Sequence, residues 1–297
     1  MDIAITGSNG LIGTALADAL HARGDRVIPV LRGEGLGVRW DPETGAIDAD
    51  CLDGVDAVVH LAGEGIGEKR WTPDQKLRIR DSRVRGTDLL TQTLAGLAQP
   101  PAVLVSGSAI GWYGNRGEEE LTETSASGDR DAFLVDVCVE WEGATAPAEA
   151  AGIRTVHLRT GIVLSKQGGA LHRMLTPFKI GLGGRIGRGS QYMSWISLAD
   201  EVGAIIHAID TPGLAGALNA TAPMPVTNIE FTKALGAALH RPTAVPTPLA
   251  PLKLVFGKEL VQTLLVDGQR VLPAALQASG YAFEHPTIET ALAAILA

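Results

Sequence analysis

The chain has 297 residues, 45% of them hydrophobic and 20% charged, which is enough for one large domain with a smaller appendage and too apolar for intrinsic disorder. A formal net charge of -8 argues against attraction to nucleic acid or to an anionic membrane, since both need a basic face. The two cysteines, Cys51 and Cys138, form no CxxC, the histidines show no metal-ligand spacing, and there is no basic and apolar leader and no apolar run of roughly 18 residues; a cytoplasmic protein acting on a small molecule is expected.

Over the first 160 residues, short β-branched runs alternate with helical patterns, which predicts a parallel sheet with crossover helices. The predicted strands cover 2–6, 26–31, 56–61, 102–106 and 153–158. The first runs into Thr6-Gly7-Ser8-Asn9-Gly10-Leu11-Ile12-Gly13 and then a helix, the context that a dinucleotide fingerprint requires. Gly7 would permit the tight turn, Gly10 would let a pyrophosphate approach the backbone, and Gly13 would let the helix lie close to the sheet. The helix N-terminus would offer unpaired N–H groups to the phosphates. A merely structural turn is the alternative. The second strand ends Val30-Leu31-Arg32-Gly33, with no acid before Glu34. A guanidinium forks onto a 2′-phosphate, whereas a free ribose hydroxyl calls for a carboxylate. The pattern favours NADP over NAD, with a solvated arginine at a strand end as the alternative.

His60, at the end of the third strand, reads as a locally satisfied residue rather than a catalytic one. Lys69-Arg70-Trp71, on a glycine-flanked loop, reads either as a movable lid or as plain surface. Thr72, Pro73 and Gln75 spell an N-cap, a first-turn proline and a capping box, opening a helix that should run to about residue 98. Lys76, Arg80 and Arg83 share one face of it, and most of these charges read as solvated. A second long helix is predicted at 131–150, where Cys138 reads as an inert core thiol. Past 165 come glycine-rich loops, GGALHRML and GLGGRIGRGSQYMSW. In the second of these, Arg185 and Arg188 suit a carboxylate or phosphate ligand if the loop closes, a linker being the alternative. Capping boxes at Ser197 to Asp200 and Thr227 to Glu230 open two more helices, and the last 75 residues read as mostly helical with proline breaks.

TGSNGLIG, His60-Leu61-Ala62-Gly63, SRVRGT (82–87), SGSAIGWYG (106–114) and LRTGIVL (158–164) together resemble the extended short-chain dehydrogenase/reductase superfamily, of the nucleotide-sugar epimerase type. GEKRWT (67–72), GLGGRIGRGSQYMSWI (181–196), LNATAPMPVTNIEF (218–231) and GQRVLPAALQASGYAF (268–283) are similar to an epimerase-family subgroup with its own C-terminal helical region, sometimes named cell-division-inhibitor-like. The resemblance implies an α/β fold: a Rossmann doubly wound parallel sheet with a smaller, mostly helical C-terminal substrate or cap region. The dinucleotide-binding part would cover 1–165 with a returning segment at about 190–220, and the cap 166–189 and 221–297. It further implies Gly7, Gly10, Ile12 and Gly13 at a pyrophosphate, Arg32 at a 2′-phosphate, Leu61 and Ala62 against the adenosine ribose, Arg83 and Val163 at the nicotinamide end, and Ser108 on the reacting oxygen. Related folds often dimerise through the two long helices, so a homodimer is expected.

One departure bears on activity. Superfamily members use a tyrosine and a lysine, as YxxxK, to move the proton. Here Phe133 and Val137 stand at those positions, and 131–150 holds no tyrosine or lysine. Tyr113 is the nearest substitute acid, unless it only packs beside the nicotinamide. Two readings follow: an NADP-dependent oxidoreductase or epimerase acting on a small anionic or sugar-like substrate, or an NADP-binding regulatory or sensor protein that has lost catalysis. A scaffold without cofactor is a third.

Overall fold

β1 (Asp2–Thr6) turns through the glycine loop into α1 (Leu11–Arg23), which returns to β2 (Arg26–Leu31), in the computed structural model of the chain, which describes residues 1–33 and 35–297. β3 (Val38–Asp41), β4 (Ala46–Ile47), β5 (Ala57–His60), α2 (Pro73–Ala95), β6 (Val103–Ala109) and β7 (Glu120–Leu121) follow. Next come α3 (Phe133–Gly143), α4 (Ala146–Ala150), β8 (Arg154–Thr160), β9 (Ile162–Leu164) and α5 (Gly169–Lys179). β10 (Tyr192–Met193), β11 (Trp195–Ser197), α6 (Leu198–Asp210), β12 (Gly216–Ala220) and β13 (Val226–Thr227) lead into the C-terminal elements. These are α7 (Asn228–Ala238), α8 (Leu249–Phe256), α9 (Lys258–Val261), a π turn at Gln262–Val266, β14 (Arg270–Val271), α10 (Ala274–Ala278) and α11 (Ile288–Leu296).

The main sheet has the order β12-β8-β6-β5-β1-β2-β3-β4, parallel throughout except for the last pair. The fold is therefore α/β and Rossmann-like, with helices on both faces. Alternation along β1 sorts the core: Ile3 and Ile5 join Leu16, Leu20 and Ile205 on one face, while Ala4 joins Trp40, Leu90 and Leu94 on the other. Trp195, Phe231, Leu175 and Leu292 form a separate core among the later elements. Strand order reverses between β1 and β5, and the carboxyl ends of the strands around that point form the crevice in which such sheets hold ligands.

Several expectations are corrected. The hairpin β3/β4 was not foreseen; its turn is made by Asp41, whose carboxylate accepts from the Glu43 N–H (3.0 Å) and the Thr44 hydroxyl (2.8 Å). The helix expected at 131–150 breaks into α3 and α4, because Pro147 lacks an N–H and its ring collides with a preceding carbonyl. α2 stops at Ala95 rather than 98. GGALHRML is no loop but the opening of α5.

The capping boxes divide. Thr227 and Glu230 cap one another reciprocally. Thr72 accepts from the Gln75 N–H, but the Gln75 side chain turns away to Glu64 (3.0 Å). Ser197 accepts from the Asp200 N–H, while the Asp200 carboxylate holds the C-terminal segment instead.

A candidate dinucleotide crevice at the carboxyl ends of the strands

The glycine loop makes its turn with Gly7 at φ +70°, where a Cβ would lie 2.9 Å from both the Leu61 carbonyl carbon and the Ala62 nitrogen. A Cβ on Gly13 would lie 2.2 Å from the Gly7 oxygen, so α1 can approach β1 only with glycine there. Gly10 is the N-cap of α1 and brings no side-chain cap, which leaves the first N–H groups of the helix open. The Ser8 hydroxyl beside them is buried and has no hydrogen-bond partner among the described residues. A loop of this shape, with open N–H groups and an orphaned hydroxyl, fits a pyrophosphate.

The loop after β5 is tied to this cradle by a chain of hydrogen bonds. Thr6 Oγ1 accepts from the Leu61 N–H (3.1 Å) and the Ala62 N–H (3.2 Å), so its single hydrogen goes to His60 Nδ1 (2.7 Å). His60 therefore carries its proton on Nε2 and donates to Thr87 Oγ1 (3.0 Å) on α2. Burial, helped by the charge of Arg83, pulls the His60 pKa down to about 4. Leu61 packs with Ile12 and Val163 against one face of the sheet core, and Ala62 against the other.

Arg32 is exposed at the end of β2, and Glu34 beyond it lies outside the described residues. Arg39 is also exposed, on a strand whose residue pairing places it opposite Leu31. It was missed because β3 was missed.

Arg83 projects from α2 beneath the loop after β5. Its Nη1 donates to the carbonyls of Glu64 (3.0 Å) and Ile79 (3.1 Å), and its guanidinium lies 5.0 Å from the Trp141 ring. A Cβ on Gly63 would be 3.2 Å from Cζ. Burial pulls its pKa down.

Ser108 and Tyr113 belong to one buried polar cluster. Ser108 Oγ donates to Glu142 Oε1 (2.6 Å), and Arg159 grips the same carboxylate through Nε (2.7 Å) and Nη2 (2.8 Å). Arg159 Nη1 donates to the Tyr113 oxygen (3.0 Å), Tyr113 donates to Asn219 Oδ1 (2.7 Å), and the guanidinium sits 3.9 Å from the Trp112 ring. Tyr113 is 0% exposed and burial raises its pKa. The hydroxyl of Tyr113, the candidate acid, is enclosed and directs its proton to Asn219. Phe133 packs edge-on against Trp71 (5.1 Å) and under Lys76, and Val137 is buried, so neither offers a proton.

Glu142 and Glu201 are buried carboxylates beside these residues that the sequence did not disclose. Glu201 is buried at the carboxyl end of β8; Oε1 accepts from Thr160 Oγ1 (2.8 Å), Oε2 has no partner among the described residues, and burial pushes its pKa up to about 8.

The loop carrying Lys69 is anchored at its far end, since Trp71 is buried in a cluster with Val261 and donates to the Ile66 carbonyl (2.8 Å). Arg185 turns back onto the Gly187 carbonyl, while Arg188 stays exposed. The π turn bridges to the same loop, with Gln191 donating to the Leu265 carbonyl (2.8 Å). Cys138 is buried and its pKa is pushed up to about 12. No group of side chains suited to a metal occurs, and no helix is long and apolar enough to cross a membrane, among the described residues.

The model of the NAD dependent epimerase/dehydratase family matches residues 3–219, and a domain of unknown function (DUF1731) matches 247–295. An epimerase family protein of Mycobacterium bovis is 45% identical over 293 residues, covering 98% of this chain and 96% of that protein. The human epimerase family protein SDR39U1 is 38% identical over 300 residues, covering 100% of both. The crystal structure of human SDR39U1 (isoform2) with NADPH superimposes with a TM-score of 0.92 at 36% identity over 99% of each chain. A nucleoside-diphosphate sugar epimerase from Corynebacterium glutamicum gives 0.82 at 37% identity over 100% of this chain and 58% of that one. With the cradle, the sheet order and these likenesses in agreement, the chain belongs to the NAD dependent epimerase/dehydratase family.

Proposed function

We propose that the protein binds NADP(H) across the switch point of its sheet and acts as an oxidoreductase or epimerase on a small anionic or sugar-like substrate. The observation that carries this reading is the glycine cradle, with the open start of α1, the orphaned Ser8 hydroxyl and the clashes that any side chain on Gly7 or Gly13 would cause. Its NADPH preference is supported by the exposed Arg32, with Arg39 on the adjoining strand, and by the NADPH in the human SDR39U1 structure.

Bound there, the nicotinamide would supply or accept a hydride. Ser108 gives its only hydrogen to Glu142, so towards a substrate it can only accept a hydrogen bond, as from an alcohol. Glu142, clamped by Arg159, holds Ser108 in that orientation. Lys69, exposed on the loop after β5, and Arg188, exposed on the glycine-rich loop before β10, would suit an anionic substrate group. The exposed side of α2, with Leu77 and Arg85, would remain available to a second copy of the chain.

The test is a titration of cofactor-stripped protein with NADPH and NADH, followed by nicotinamide fluorescence. Micromolar or tighter NADPH binding that Arg32→Ala weakens by about tenfold, with NADH little changed, is expected from the loss of a charge-assisted contact. Binding of neither nucleotide would remove the reading.

A second reading, a cofactor-loaded regulatory protein without turnover, is favoured by the enclosure of Tyr113 and the apolar Phe133 and Val137. It predicts no hydride transfer with a panel of carbonyls and alcohols, but altered hydrogen exchange at 66–71 and 181–195 on loading. Turnover with any member of the panel, or unchanged exchange, would exclude it.

A further inference from the structure

Arg83 is a cation without an ion-pair partner. Among the described residues no carboxylate lies within ion-pair distance of it: Asp81, two positions away, pairs with Arg80 and Arg85, and Glu64 points to Gln75 and Lys69. Among the described residues it meets two backbone carbonyls, both on Nη1, and the Trp141 ring, and its Nε and Nη2 make no hydrogen bond. Such a partly desolvated charge is costly unless a ligand meets it.

The topology says which half of a dinucleotide it faces. Arg32 marks the adenosine side, at the end of β2. Arg83 lies on the opposite side of the β1/β5 switch point: it packs against Gly63, which follows β5, and against Trp141, whose ring would be 3.0 Å from a Cβ on Gly107 of β6. A dinucleotide lying across the switch point has its nicotinamide half over β5 and β6. The facing helix α3 brings no lysine or arginine, and its three carboxylates are each met by an arginine: Asp136 by Arg130, Glu140 by Arg80 and Glu142 by Arg159. The local charge on that half is therefore positive and comes from Arg83.

We propose that Arg83 makes the site a selective holder of the reduced cofactor. NADPH and NADP⁺ differ by one positive charge, which resides on the nicotinamide ring of the oxidised form. A fixed guanidinium beside that ring repels the oxidised form and leaves the reduced form unaffected, so the site takes up reducing equivalents and releases the oxidised product readily. This inference rests on the NADP(H) reading above and goes beyond it by assigning the redox state that the site prefers.

The experiment is the ratio of the dissociation constants of NADP⁺ and NADPH, measured by calorimetry for the wild-type protein, Arg83→Lys and Arg83→Met. The wild-type protein should bind NADPH more tightly by about tenfold or more, the scale expected of one unit charge at a half-screened separation. Arg83→Met should bring the ratio close to one, chiefly by tightening NADP⁺, and Arg83→Lys should keep most of the preference. A wild-type ratio near one overturns the proposal without any variant. So does an Arg83→Met protein that loses affinity for both forms equally, which would make Arg83 a ribose or phosphate contact. An absence of binding to either form by the wild-type protein would instead sink the cofactor reading itself.

Discussion

Gly13 has no room for even one more carbon, because a Cβ would stand 2.2 Å from the Gly7 oxygen. Gly13→Ala should therefore push α1 away from β1 and weaken NADPH by more than tenfold, with the secondary structure by circular dichroism little changed; unchanged affinity would show that the loop does not hold the pyrophosphate. Ser108→Ala removes the hydroxyl held by Glu142 and should lower turnover by about a hundredfold while NADPH affinity stays within a factor of about two. Equal loss of affinity would make Ser108 a cofactor contact instead. Glu201 carries a pH signature. Its pKa rises on folding from an ordinary 4.5 to about 8, so the native state binds the extra proton and stability falls as pH rises from 4.5 to 8. Glu201→Gln should abolish that decline and leave the variant more stable than the wild-type protein at pH 8, by a few kcal/mol (~3). Urea midpoints at pH 5 and pH 8 would decide, and parallel shifts of both proteins would refute the assignment. His60 has the opposite sign: with a folded pKa near 4, its contribution is complete above about 6.5 and is lost as pH falls towards 4.

Elements were legible where their signals are local. The glycine turn, the Pro73 start of α2 and the Thr227 box lie within a few consecutive residues, so neighbouring chemistry alone specified them. The missed features depend on partners far along the chain. β3 is a strand because Val38 and Arg39 pair with Val30 and Leu31, and Trp40 packs on Gly86 and stands edge-on to His60 (5.7 Å). α6 is another case. Asp200, fully buried in its first turn, accepts from the Ser197 hydroxyl (2.8 Å), the Glu284 N–H (2.7 Å), the His285 N–H (3.0 Å) and the Tyr281 hydroxyl (3.2 Å). It fastens the C-terminal segment to the start of α6. Asp200→Ala should cost about 3 kcal/mol or more by orphaning four donors, and the loss should appear first as faster hydrogen exchange over 281–297. Uniform destabilisation without that local signature would deny the clamp.

The whole molecule assembles its crevice from segments that no short stretch contains. The cradle comes from β1 and α1, the loop beside it from β5, the unpaired arginine from α2, the acceptor serine from β6 and its clamp from α3 and β8. An open groove of about 690 Å³ between α1 and α6 meets the cradle at Asn9, Gly10 and Leu11.

The residues in order were sufficient for the α/β class, the glycine cradle, the arginine at the end of β2 and the absence of a YxxxK pair, because each is a matter of neighbours along the chain or of a residue type that is present or missing. Folding decided the roles. Ser108 meets Glu142 across 34 positions and Tyr113 meets Asn219 across 106, so whether a hydroxyl donates, accepts or is sealed away depended on which strands lie side by side. A hydrogen bond is settled at about 3 Å. Sequence patterns carry periodicity and turn chemistry, but not that distance, and this is why the partners of Tyr113 and the place of Glu142 were not foreseen.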